Sequence, residues 1–83
     1  MNLSFLIGKI IGQIQYKFII NSKDTAIAIF KLQLQNESVI TIKAYNEMAD
    51  FYYSHVDKDY VICIKGRLNK KGEVIIKTWY VLF

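Results

Sequence analysis

A period of two runs through this chain almost from end to end. Between Leu3 and Ile20, the residues Leu6, Gly8, Ile10, Gly12, Ile14, Tyr16, Phe18 and Ile20 alternate with Lys9, Ile11, Gln13, Gln15 and Lys17. Successive side chains of a strand point to opposite sides, so this pattern gives a sheet one apolar face and one wetter face. No proline interrupts it, and every strand residue keeps its ladder donor. The helical period of 3.6 is scarce. An apolar fraction of 53% excludes a disordered tail. At 83 residues the chain holds one domain, 1–83. A domain this small buries only about 60–65% of the surface its unfolded chain exposes, which leaves little room for a deep enzymatic cleft.

Five strand-like segments follow from the pattern. Leu3–Ile20 is long for one flat strand, and Gly8 and Gly12 are the places where it would bulge or bend. Asn21-Ser22-Lys23-Asp24 reads as a turn. Ala26–Leu34 sets Ala28, Phe30, Leu32 and Leu34 against Ile27, Ile29, Lys31 and Gln33. Gln35-Asn36-Glu37 makes a tight hairpin, and Val39–Tyr45 sets Ile40, Ile42 and Ala44 against Val39, Thr41, Lys43 and Tyr45. A helix of about ten residues is predicted from Asn46, capped by its side chain, with Ala49, Tyr53 and Val56 on the buried stripe and Met48 and Tyr52 flanking it. Asp57-Lys58-Asp59 turns into Tyr60–Leu68, with a bulge at Gly66. Asn69-Lys70-Lys71-Gly72 then leads into Val74–Phe83. Three strands, a helix and two strands is the order of an all-β OB-fold, a five-stranded Greek-key barrel with its one short helix between strands three and four.

Charge separates by element. The net charge is +4, carried by ten lysines and Arg67 against seven acids. Lys9, Lys17, Lys31, Lys43, Lys65, Arg67 and Lys77 fall within strands, whereas Asp24, Glu37, Glu47, Asp50, Asp57, Asp59 and Glu73 fall in turns, at strand edges or on the helix. A basic barrel wall is an electrostatic footprint for a polyanion.

Four segments in order resemble the bacterial single-stranded DNA-binding protein (SSB) family. Leu6-Ile7-Gly8-Lys9-Ile10 is similar to its opening strand, and Thr25-Ala26-Ile27-Ala28-Ile29-Phe30-Lys31-Leu32 to its second. Ile42-Lys43-Ala44-Tyr45-Asn46-Glu47-Met48-Ala49-Asp50 resembles its strand-into-helix segment, and His55 to Leu68, ending in Gly66-Arg67-Leu68, resembles its fourth strand. Asn46 and Asp59 stand where that family usually has glycine, and both long hairpins of the family are shortened here. The compact form is also similar to primosomal replication protein B, a short dimeric relative. The sequence to Phe83 carries no acidic tail of the kind that recruits replication and repair enzymes in that family.

The resemblance implies binding of single-stranded DNA in replication, repair or recombination, with single-stranded RNA as the alternative. Tyr45 matches the aromatic that stacks on a base, with Lys43 and Thr41 beside it for phosphate. The competing reading packs Tyr45 under the helix or into a subunit contact. Trp79 is either a second platform or a core or interface tryptophan, because a bulge near Tyr80 would invert its side. Lys9, Lys31, Lys65, Arg67, Lys70 and Lys71 are candidate phosphate contacts; solvated lysines are the alternative. Ile27 and Ile29, apolar on a polar face, suggest a dimer or tetramer surface together with part of the first strand. An OB-type protein-interaction module without nucleic acid remains a second function class.

Nothing in the sequence forms a catalytic constellation. His55 lacks further metal ligands, and Cys63 reads as a small apolar filler. No enzyme activity, metal or cofactor is expected. Lys9, Gln13, Gln15 and Lys17 break the most apolar stretch, and the N-terminus lacks a basic signal region, so an intracellular site is expected: bacterial cytoplasm or nucleoid, or plastid stroma.

Overall fold

The alternating segments do become strands, and the strands close on themselves. The computed structural model describes residues 3–20 and 25–81, with side chains over 4–20 and 25–76. The elements are β1 (Leu3–Ile19), β2 (Thr25–Leu34), β3 (Val39–Tyr45), α1 (Glu47–His55), β4 (Val61–Leu68) and β5 (Val74–Val81). They form a closed barrel in the order β1-β2-β3-β5-β4. All pairings are antiparallel except β3 with β5, which meet in parallel at Ile42 opposite Val74 and Lys43 opposite Ile75. This is the OB-type Greek-key barrel. The turn 21–24 and residues 82–83 lie outside the described residues.

The core is the inner face of that alternation. Ile10, Phe30, Leu32, Ile42, Ile62 and Ile64 are fully or almost fully buried. Each such side chain contributes roughly 1.5–3 kcal/mol relative to exposure. Among the described residues no polar or charged residue is buried.

β1 serves two partners. Leu3–Lys9 pairs with β4, and Gly8–Ile19 pairs with β2. Gly8 is not a bulge, as the sequence suggested, but a close approach: a Cβ there would lie 2.6 Å from the Gln33 carbonyl oxygen and 2.8 Å from Leu32 Cγ. Gly12 is the bend. Its φ is 72°, and the register slips between Ile11 and Gln15, so that Gly12, Gln13 and Ile14 together stand opposite Phe30. The expected irregularity at Gly66 is also present, between Lys65 and Gly66. There the surplus residue is Lys77, on β5.

Two expectations for the helix are corrected. Asn46 does not cap α1 with its side chain. Its φ of 56° turns it back across the ladder, where its N–H donates to the Ala26 carbonyl at 2.8 Å. Its Oδ1 accepts from the Ala26 N–H at 3.3 Å. The buried stripe is Ala49, Tyr52 and Val56, not Ala49, Tyr53 and Val56. Tyr52 enters the barrel and stacks on Phe30 with ring centroids 5.1 Å apart. Tyr53 stays exposed and meets Tyr16 at 4.9 Å. A nine-residue helix is marginal in isolation, so this packing is what holds it.

Candidate nucleic-acid interface

The register of β1, β2 and β3 lays the outward side chains out as a grid. Lys17, Ile27 and Tyr45 form one row, and Gln15, Ile29 and Lys43 the next. Ile11, Lys31 and Thr41 follow, and then Lys9, Gln33 and Val39. Adjacent strands lie about 4.8 Å apart and alternate residues about 6.7 Å apart along a strand, so the whole face is within reach of a short oligomer.

Tyr45 ends this face at the β3–α1 junction. It is 38% exposed and does not pack under the helix. The left-handed Asn46 and its two bonds to Ala26 fix the backbone directly after it. Lys43 is half-buried and forms an ion pair with Glu73 at 3.2 Å. Glu73 is held in turn by the β4–β5 turn: Asn69 Nδ2 donates to its carboxylate at 2.9 Å, and its own N–H donates to Asn69 Oδ1 at 2.9 Å. Those two partners, Asn69 first and then Lys43, hold the Glu73 carboxyl below its ordinary range. The same turn presents Lys70 and Lys71 to solvent.

The remaining predicted residues spread further. Thr41 lies opposite Lys31 on the central grid. Lys9 lies at its far end, between Gln33 of β2 and Val61 of β4. Arg67 is reached from Lys43 across Ile75 of β5. Lys65 pairs with Phe5 on the β1–β4 flank, away from Tyr45. Ile27 and Ile29, expected on an oligomer surface, sit within the grid directly opposite Tyr45 and Lys43. The two expectations therefore compete for one face.

For Trp79, the expectation rested on uninterrupted alternation. The bulge at Lys77 removes that premise, because Trp79 comes into register with the fully buried Ile64. Its side chain lies outside the described residues. Lys17 and Gln15 belong to the grid but were not singled out from sequence; their place on the Lys9 side of the alternation was the available signal.

Two other surfaces bear on function. Phe5 and Ile7 are 59% and 47% exposed, on the part of β1 that pairs with β4 but not with β2. His55 stacks on Phe51 at 4.8 Å. Among the described residues no group of three or more His, Cys, Asp or Glu side chains is placed to hold a metal ion, and no helix is long and apolar enough to cross a membrane. The class defined by these observations is an OB-type barrel with a cationic, aromatic-edged outer face. No protein-family model matches the chain, and no curated protein matches it.

Proposed function

We propose that this chain is an SSB-like, sequence-tolerant binder of single-stranded DNA acting in replication, repair or recombination, and that it works as a binding module rather than an enzyme. Tyr45 carries the proposal: an exposed aromatic, fixed by the strained residue after it, at the edge of a face bearing Lys17, Lys43 and Lys31. Bases stack on the phenol ring whatever their identity, while the ammonium groups neutralise phosphates as undirected charges. Asn46 and Asp59 add support. Both stand where the resembled family has glycine, and both adopt the left-handed backbone that favours glycine, at φ 56° and 71°.

The oligomeric part of the proposal moves to another surface. Ile27 and Ile29 are taken by the grid, whereas the edge of β1 carrying Phe5 and Ile7 has no β2 partner. A second copy pairing there would leave the Tyr45 face open. Light scattering on wild type and on a Phe5→Lys/Ile7→Lys variant tests this, with dissociation of the variant as the expected result.

Titration of oligo-dT by fluorescence anisotropy at two salt concentrations tests the function. Binding should weaken steeply with salt, and duplex of equal length should compete poorly. Tyr45→Ala should cost about 1–3 kcal/mol, roughly fivefold to 150-fold in affinity. Glu73→Gln should tighten binding at low salt, because it releases Lys43, and should steepen the salt slope by about 0.7. Absence of wild-type binding at low salt would sink the proposal. Preference for oligo-U over oligo-dT would reassign it to RNA.

A further inference from the structure

Lys43 faces two anions in turn. It lies two residues from Tyr45 on the outward side of β3, about 7 Å along the strand, where a nucleotide stacked on the phenol brings its phosphate. In the free protein the Glu73 carboxylate holds that place.

The β4–β5 turn aims this carboxylate. One oxygen, Oε1, accepts from Asn69 Nδ2 at 2.9 Å and lies 3.2 Å from Lys43 Nζ. Asn69 is itself fixed. Its Oδ1 accepts from the Lys71 and Glu73 N–H groups, both at 2.9 Å, and its own N–H donates to the Glu73 carbonyl at 2.8 Å. Gly72, at φ 79°, closes the turn by donating to the Asn69 carbonyl at 3.2 Å. None of these bonds involves Lys43, so the turn orients Glu73 before the ion pair forms. An ordinary surface pair has to immobilise two long side chains and is worth little. Here one of the two is already ordered, and less freedom is lost on pairing. A phosphate arriving at Lys43 must displace the carboxylate or sit beside it, and like charges in contact repel.

Resting on the single-strand-binding reading above, we infer that Asn69 is a positioning residue that holds Glu73 as an intramolecular competitor for the nucleic-acid phosphate at Lys43. The β4–β5 turn thereby limits affinity from within the fold. The coupling is reciprocal: a bound strand loosens the hold of the turn on β3 by the factor by which the turn weakens the strand. That hold sits beside the shortest ladder of the barrel, where β3 and β5 share only Ile42 with Val74 and Lys43 with Ile75. One ion pair thus clasps the seam and opposes the ligand.

The test titrates oligo-dT at low salt against wild type and a set of variants. Glu73→Gln should tighten binding about fivefold. Glu37→Gln removes the same charge from the β2–β3 turn, at the far end of β3, and should tighten it less than about twofold. In a Lys43→Met background the gain from Glu73→Gln should also fall below about twofold. Asn69→Ala changes no charge, so it reads position alone. It should tighten binding by about twofold or more and move the Glu73 carboxyl, followed by NMR titration, up toward its ordinary range. Damage to the turn without a competitor would weaken binding instead. A Glu73→Gln gain that Glu37→Gln matches, or that persists without Lys43, makes Glu73 one charge in the general field and overturns the competitor. Asn69→Ala binding no tighter than wild type overturns the positioning role. Both outcomes leave base stacking on Tyr45 intact, whereas failure of wild type to bind oligo-dT overturns that reading as well.

Discussion

The two halves of β1 are built from similar residues and end in opposite situations. The first half, to Ile11, pairs with β4 over Leu3–Lys9 and with β2 from Gly8, and its inward Ile10 is fully buried. The second half, from Gln13, has β2 alone as a strand partner. Its Phe18 is 54% exposed although it continues the apolar side of the alternation. An apolar pattern therefore places a residue in the core only where a second layer covers it. Beyond Ile14 that cover is α1, through Tyr16 on Tyr53 and a hydrogen bond from the Tyr16 hydroxyl to Asp50. The strand passes from barrel stave to hairpin arm at Gly12.

The comparison breaks most sharply at its two glycines. Gly8→Val puts branched carbon against the Gln33 carbonyl and Leu32, neither of which can withdraw without opening the β1–β2 ladder. The expected loss is about 3 kcal/mol, read as a lower urea midpoint, and with it goes the whole barrel. Gly12→Ala meets no atoms, and only its positive φ resists the new side chain. The expected loss is about 1–2 kcal/mol, with the core intact. If Gly12→Ala proved as damaging as Gly8→Val, the second half would be as integral to the barrel as the first.

Much of this was legible in the sequence, and parity explains what was and was not. The bulge at Gly12 inserts two extra residues, an even number, so alternation read straight through it still assigns Lys17 and Lys9 to the same face. The bulge at Lys77 inserts one, so alternation counted through it does not fix the side of Trp79, whose side chain lies outside the described residues. β3 has no irregularity, and Thr41, Lys43 and Tyr45 lie on the outer face where the pattern set them. The helix failed differently. Tyr52 and Tyr53 are both compatible with a short amphipathic stripe, and the packing of Tyr52 on Phe30, a contact between distant segments, decides between them. Asn46 followed capping statistics that a positive φ overrides. The Lys43–Glu73 pair joins β3 to the β4–β5 turn beside the parallel contact of β3 with β5, which no local pattern encodes.

The smallest effect sits at the contact that holds the second half of β1 to the helix. The Tyr16 phenol is raised above its ordinary value of 10.0, first by its hydrogen bond to Asp50, then by desolvation and by the charge of that carboxylate. A raised phenol favours the neutral form in the folded protein. The contact is therefore fully present below pH 10 and lost as pH rises through the higher folded value. Tyr52 is raised as well, chiefly by burial inside the barrel. Alkaline absorbance titration should show both tyrosines ionising late, and Tyr16→Phe should remove one of the two. In that variant, amide exchange should quicken from Gln15 to Ile19 and stay unchanged from Leu6 to Ile10. Equal quickening in both stretches would mean that Tyr16 supports the barrel itself, and that the division of β1 at Gly12 is one of shape without a difference in stability.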